Sequence, residues 1–228
     1  MKRIGMIVAV EIEAVNEALD TPLWEKEVYG FNLSCYQVGE VELLVAETGA
    51  GILPASEATE LLILKYGVDT ILNFGVVGAL TEEIAYTPCV FVKDVVHYEA
   101  DLNFIDGLPI GQHAGFDSPF IPLDEGLLEL ARKSSPDTPL VRCASGDKFI
   151  GPDKKEGLHK DFDADICDME LAGIVYTATR FGAKVFSCKM VSDSVKGGKD
   201  EFYENKAMAS RQCFALLLAL SNLFENKG

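Results

Sequence analysis

Short apolar runs alternate along the chain with segments whose apolar residues recur at helical spacing. Runs rich in β-branched residues and bounded by Gly, Pro or Asp are typical of strands, and they cover 3–10, 31–38, 41–48, 70–79, 89–98, 141–146 and 184–192. Helical spacing covers 11–20, 53–66, 124–133, 153–161, 170–182 and 200–225. This alternation predicts an α/β protein in which helices cover both faces of a largely parallel or mixed sheet.

Three segments refine this prediction. Only Gly39 and Glu40 separate the runs 31–38 and 41–48, which favours a hairpin and therefore a mixed sheet. The Gly- and Pro-rich stretch 101–122 is long for a connection inside a compact domain, so we expect it to serve as a lid or an interface loop. The last helix contains ALLLALSNLF and is apolar enough to pack on its own sheet or against a partner subunit.

Length and composition limit the class of protein. With 228 residues, 48% of them hydrophobic, and a mean hydropathy of +0.14, the chain can bury a large core, and we expect a single domain over 1–228. No apolar run reaches the ~20 residues that span a bilayer, and the opening MKRIGMIVAV continues into charged EIE, so we expect a cytoplasmic protein without membrane contact. A formal net charge of −16 disfavours nucleic acid as a partner, because phosphate backbones are bound by clustered Lys and Arg.

The six cysteines are scattered, form no CxxC pair and are accompanied by only three histidines. Metal sites built from these residue types need closely spaced ligands. We therefore expect free thiols in the core, and neither a metal nor another cofactor.

Acidic residues follow several of the predicted strands. Glu11 and Glu13 come after IGMIVAV, Asp147 after CASG, Glu170 after ICDM and Asp193 after VFSCKMVS. A single carboxylate at such a place is commonly a helix cap. Ligands of open α/β sheets bind outside the carboxyl ends of the strands, so several carboxylates at equivalent places predict a shared crevice.

Two glycine-containing turns also follow strands. TGAG at 48–51 and FGVVGA at 74–79 would let the backbone approach a ligand closely. Neither matches GxGxxG or the phosphate-binding GxxxxGK[ST] pattern, so a dinucleotide or triphosphate site is not predicted.

The chain resembles the bacterial 5′-methylthioadenosine/S-adenosylhomocysteine nucleosidases of the nucleoside phosphorylase superfamily. The resemblance runs from residue 4 to about 202 and rests on IGMIVAVEIEA, ETGAGILPA, ILNFGVVGAL, HYEADLN, SGDKFI, DMELAG and VSDSV in this order. It implies a three-layer α/β/α sandwich with a twisted, mixed central sheet, and a homodimer. It also implies hydrolysis of the N-glycosidic bond of a purine nucleoside such as 5′-methylthioadenosine, S-adenosylhomocysteine or a related adenosine derivative.

The resemblance assigns roles to individual residues. Glu13 matches the glutamate that activates the attacking water, and Asp193 matches the acid that protonates the leaving purine. Glu170 matches the carboxylate that binds the ribose hydroxyls, and Met169 the side chain that packs on the sugar. Such chemistry needs one protonated and one ionised carboxyl group at the same pH.

The base is expected to bind through three further positions. Phe149 and Ile150 match the residues that stack on the base and hydrogen-bond it through the backbone. Ser192 matches the residue that helps to position the base beside the acid.

Four departures from the family pattern concern the water and the 5′ substituent. Lys189 stands where the family has an arginine near the water, and Val76 replaces a serine. Ala50 replaces a larger aliphatic residue, and the aromatic residues expected near Ile105 and Gly107 are missing. We therefore expect less certain water positioning, which falls to Lys189, and a weak contribution of an alkylthio group to binding.

Two alternatives remain. A phosphorylase of the same fold would need a phosphate site, but a glycine-rich GDPxR-type loop is absent from AVEIEA after the first strand. A catalytically silent nucleoside-binding protein would not need Glu13, Glu170 and Asp193 together.

Overall fold

Strands and helices alternate in the computed structural model, which describes residues 2–87 and 89–224. The first half contains β1 (Lys2–Val8), α1 (Ile12–Ala18), β2 (Trp24–Val28), β3 (Phe31–Val38), β4 (Val41–Glu47), α2 (Ile52–Tyr66), β5 (Thr70–Ala79) and α3 (Glu82–Ala85). The second half contains β6 (Val90–His97), α4 (Asn103–Asp106), β7 (Phe120–Pro122), α5 (Glu125–Ser134), β8 (Leu140–Ser145), α6 (Pro152–Phe162), β9 (Ile166–Asp168), α7 (Leu171–Phe181), β10 (Lys184–Asp193), α8 (Lys199–Ala219) and a 3-10 turn (Ser221–Phe224).

The strands of the described residues form one mixed sheet in the order β10-β6-β8-β9-β5-β1-β4-β3-β2, and β7 pairs with β6. Strand β5 also pairs with β10, so five strands close into a ring, from which β1, β4, β3 and β2 extend. Strand β5 runs parallel to β1 and β10 and antiparallel to β9. The carboxyl ends of β1, β5 and β10 therefore lie on one side of the sheet.

Helices cover both faces of the sheet, and each face has its own apolar cluster. One cluster joins the sheet to α2 and α7, and the other joins it to α1, α5 and α8. Helices α2 and α7 approach closely at Gly173, where a Cβ atom would lie 2.4 Å from the carbonyl oxygen of Ile52. These three layers confirm the predicted α/β/α sandwich.

Most predicted elements occur, and the exceptions have physical reasons. The predicted hairpin is confirmed by the antiparallel pairing of Val38 with Val41. Strand β2 was not predicted because its sequence, WEKEV, is charged and largely exposed, as suits an edge strand. Stretch 101–122, predicted as a loop, contains the short α4 and β7, and the predicted helix 200–225 ends at Ala219 before the 3-10 turn, with residue 225 outside the described residues.

Two further observations concern class. No helix in the described part of the chain is both long and apolar enough to cross a membrane. All six cysteines are buried and free.

Candidate active site

A cavity of about 280 Å³ opens where several strands end. Its wall includes residues 9–11 after β1, 76–78 on β5, 148–150 after β8, 167–170 at the end of β9, and 192–193 at the end of β10. The first turns of α8 add Phe202, Tyr203 and Lys206. Three of the carboxylates that follow strands in the sequence, those of Glu11, Glu170 and Asp193, thus share one cavity.

Glu11 lies at the floor of this cavity, directly before α1. Its side chain is 5% exposed, and its two oxygens accept hydrogen bonds from the backbone N–H groups of Val10 (2.9 Å) and Val76 (3.1 Å). Only glycine fits opposite it, because a Cβ atom on Gly75 would lie 2.9 Å from Glu11 Oε1. Burial raises the pKa of Glu11 above its usual value, which brings this carboxyl closer to the range of a general base at neutral pH.

Glu13 lies outside the cavity, contrary to the role that the sequence comparison suggested. It is exposed in the first turn of α1 and borders a separate surface depression with Arg211. Two residues along a helix turn the side-chain direction by about 200°. Glu11 and Glu13 therefore point in nearly opposite directions, and only Glu11 reaches the cavity.

Glu170 and Met169 form the wall at the end of β9. Glu170 precedes α7, and its Oε1 atom accepts a hydrogen bond from the backbone N–H of Gly51 at 3.1 Å. Burial, together with the nearby charge of Asp168, raises the pKa of Glu170 to about 8. Met169 lines the cavity beside it, where an apolar side chain can pack on a sugar ring.

Lys189 lies behind this wall and is not one of the described residues that line the cavity. Its side chain is 2% exposed, and its ammonium is 2.9 Å from Asp168 Oδ2. Although burial would lower the pKa of Lys189, the charges of Asp168 and Glu170 outweigh it, and the pKa is raised. One ammonium thus faces the carboxylates of Asp168, Glu170 and Glu11, which leaves this end of the cavity electronegative.

Ser192 and Asp193 form the opposite end of the cavity, and each is 2% exposed. The Ser192 hydroxyl lies 2.8 Å from Asp193 Oδ1 and 3.2 Å from the carbonyl oxygen of Val77. The Lys155 ammonium donates to Asp193 Oδ2 at 2.5 Å. Asp193 therefore has both of its oxygens engaged by neighbouring side chains.

Phe149 and Ile150 border the same cavity in the turn after β8. Ile150 is buried, whereas the Phe149 ring is 47% exposed and meets Phe202 edge to face, with ring centroids 5.5 Å apart. A flat, partly exposed ring in a cavity wall offers a stacking surface for a planar base.

The positions that depart from the family pattern divide into two groups. Val76 and Ala50 line the cavity, so the missing hydroxyl and the short side chain affect its shape directly. Ile105 and Gly107 are not among its described lining residues, and Ile105 is 79% exposed.

Comparison with known proteins agrees with this geometry. The sequence profile of the Phosphorylase superfamily matches residues 3–222. The chain belongs to this superfamily. The predicted resemblance is thereby confirmed, since members of the superfamily named as nucleosidases are among the chain's relatives.

The superfamily chain is 29% identical to the 5′-methylthioadenosine/S-adenosylhomocysteine nucleosidase of Shewanella halifaxensis, over 96% of this chain and 98% of the relative. The Shewanella loihica protein of the same name is 28% identical, over 95% and 96% of the two chains. Among solved structures, futalosine hydrolase of Helicobacter pylori superimposes with a TM-score of 0.91 at 23% identity, over 97% and 98%. The S. pneumoniae nucleosidase with the inhibitor MT-ImmA gives a TM-score of 0.88 at 24% identity, over 98% and 100%.

Sequence reasoning missed two residues of this superfamily site. Glu11 was recorded only as one of several carboxylates after strands, and nothing in EIE shows which glutamate turns inward. Lys155 was not considered, although it shares a helix face with Leu158 and Phe162 at a spacing of three and seven residues. A lysine on an apolar stripe is the signal that could have revealed it.

Proposed function

We propose that the protein hydrolyses the N-glycosidic bond of a purine nucleoside and releases the free base and a ribose derivative. The observation that carries this proposal is the placement of Glu11 and Asp193 along the same strand. Glu11 bonds to the backbone of Val76, and Asp193 lies beside Gly78. Two residues of a strand span about 6.6 Å, which fits a sugar carbon at one end and a base at the other.

The chemistry divides between the two ends of the cavity. Cleavage gives the sugar oxocarbenium character, and a purine leaves poorly as an anion. Asp193 supplies a proton to the departing base, and Glu11, in place of Glu13, takes a proton from the attacking water. Glu170 binds the ribose hydroxyls, and the electronegative surroundings of Glu11 and Glu170 stabilise positive charge on the sugar.

The remaining residues bind and orient the substrate. Phe149 stacks on the base, Ile150 contacts it through its backbone, and Ser192 orients Asp193. Met169 packs on the sugar. Lys189 acts on the water only indirectly, because its ammonium is engaged with Asp168 behind the wall.

Adenosine derivatives with a 5′ substituent are the proposed substrates. The names of the Shewanella relatives support 5′-methylthioadenosine and S-adenosylhomocysteine, and the fold is shared with a futalosine hydrolase. We also propose a single domain that works in the cytoplasm as a homodimer and needs no cofactor. Exposed Phe104 and Ile105 support an interface at α4, and light scattering after size exclusion tests the dimer.

Hydrolysis is distinguished from phosphorolysis by the sugar product. The cations on the described cavity wall are Lys148 and Lys206, with no arginine among them, and Lys148 is paired with Glu99. Purified protein is incubated with adenosine, 5′-methylthioadenosine, S-adenosylhomocysteine and futalosine, with and without phosphate. Free base and a ribose derivative without phosphate support hydrolysis, whereas phosphate-dependent formation of a ribose 1-phosphate refutes it.

The same panel tests a silent nucleoside-binding protein. Calorimetric binding of these nucleosides without release of base from any of them would favour that alternative over catalysis.

A further inference from the structure

Lys155 is a fully buried lysine on a helix that is otherwise charged and exposed. Its neighbours Lys154 and Glu156 are exposed, while the Lys155 side chain is 0% exposed. Removing an ammonium from water carries a large desolvation cost, which only close, well-oriented partners offset. The position of Lys155 therefore depends on what its ammonium contacts.

All its close contacts lie at the end of β10. The ammonium donates to Asp193 Oδ2 at 2.5 Å and to the carbonyl oxygens of Ser194 at 2.5 Å and Asp193 at 3.4 Å. A lysine ammonium has three N–H donors, and these contacts use all of them. Lys155 is also not among the described residues that line the cavity, so it acts through Asp193.

The neighbouring strand leaves space for this ion pair. A Cβ atom on Gly78 would lie 3.0 Å from Asp193 Oδ2 and 3.4 Å from Lys155 Nζ. A side chain at this position would press on the pair. The Asp193 carboxylate is thus held between the lysine on one oxygen and the Ser192 hydroxyl on the other.

We propose that Lys155 is the positioning residue of the acid Asp193, a role that rests on the proposed function. It holds Oδ2 so that Oδ1 faces the base, and it stabilises the carboxylate that remains after proton transfer. In that step the O–H bond of Asp193 breaks, an N–H bond forms on the base, and the electron pair of the glycosidic bond moves to the base. Lys155 keeps its own protons, and its effect is greatest when the negative charge has formed.

Lys155→Met tests this role, with Lys154→Met on the same helix as the matched control. We expect Lys155→Met to lower kcat by about ten-fold or more with KM within about three-fold, because the base and ribose contacts remain. Lys154→Met stays at the wild-type rate. Lys155→Arg, which keeps a donor and a positive charge, recovers part of the lost kcat.

A second measurement separates this role from a structural one. If Lys155 acts through Asp193, Lys155→Met has no further effect in an Asp193→Asn background, and the double variant has the kcat of Asp193→Asn alone. A loss of equal size in both backgrounds would overturn the proposal, as would a Lys155→Met variant within two-fold of wild type. If Lys155→Met does not fold by circular dichroism, the double variant, which lacks both buried charges, and Lys155→Arg still decide the question.

Asp193→Asn alone keeps the two proposals distinct. Wild-type activity of that variant would refute Asp193 as the acid. A large loss with Asp193→Asn, combined with unchanged activity of Lys155→Met, would refute only the role of Lys155.

Discussion

Exchanging the two glutamates after β1 for glutamine separates the buried residue from the exposed one. Glu11→Gln keeps the size of the side chain but removes the carboxylate that can accept a proton. Loss of a general base costs about 10²- to 10⁴-fold in rate, so we expect kcat/KM to fall at least ~100-fold, about 2.7 kcal/mol of transition-state stabilisation. Glu13→Gln, exposed on α1, should stay within about two-fold of wild type.

The structure also predicts the pH dependence and the fold of the Glu11→Gln variant. Since burial raises the pKa of Glu11, the acid limb of wild-type kcat/KM should lie above pH 4.5, the usual pKa of a glutamate. The glutamine amide has one acceptor oxygen for the two backbone N–H groups of Val10 and Val76, so one hydrogen bond is lost, worth about 1 kcal/mol. Removing a buried group that is costly to ionise offsets this loss at neutral pH.

The assay follows release of adenine from 5′-methylthioadenosine between pH 5 and 9, with thermal melting of each variant as a control for folding. A Glu11→Gln variant within ten-fold of wild type would refute Glu11 as the base. An inactive but folded Glu13→Gln variant would restore the role that the sequence comparison gave to Glu13.

Three other predictions concern stability and specificity. The pKa of Glu170, raised to about 8, means that the folded state keeps a proton that the unfolded chain loses above about pH 4.5; stability therefore falls as pH rises from 4.5 to 8, and Glu170→Gln should melt higher than wild type at pH 9 but not at pH 4. Lys189→Met leaves Asp168 buried without its ammonium and should lower the free energy of unfolding by about 3–5 kcal/mol, measured by urea titration, with Lys189→Arg less affected. Because Ala50 presents one carbon to the cavity, kcat/KM should favour 5′-methylthioadenosine over adenosine by about ten-fold or less, and a thousand-fold preference would contradict this.

The fold could be predicted from the sequence wherever apolar periodicity was strong. Strands β3 and β5 occur at the predicted residues because each is a continuous run bounded by glycine or aspartate. Strand β9 has three residues, too few for any period, and its place is set by pairing with β5 and β8 rather than by its own sequence. Short and charged strands were missed for the same reason: tertiary pairing outweighs local preference there.

The site was partly predictable for a different reason. Carboxylates after parallel strands converge because the strands end at the same edge, so the grouping of Glu170 with Asp193 follows from topology. The choice between Glu11 and Glu13 depends on the direction of the first residues of α1 and on the space that Gly75 leaves, and EIE carries neither kind of information. Matching EIEA to a family motif therefore identified the correct segment, while the structure favours the other glutamate.

Two buried lysines show what a sequence motif cannot convey about electrostatics. Lys189 pairs with Asp168 behind the sugar end of the cavity, and Lys155 pairs with Asp193 behind the base end. In the sequence, the first looks like a conservative replacement of an arginine, and the second like one of several surface lysines on a charged helix. Because neither ammonium belongs to the described cavity wall, each influences the reaction through the carboxylate that it holds. The sugar end keeps an excess of carboxylates, which favours a cationic sugar, whereas the base end has a matched pair, which favours a proton donor held in place. This asymmetry gives a physical reason to assign opposite proton-transfer roles to Glu11 and Asp193, independent of any motif.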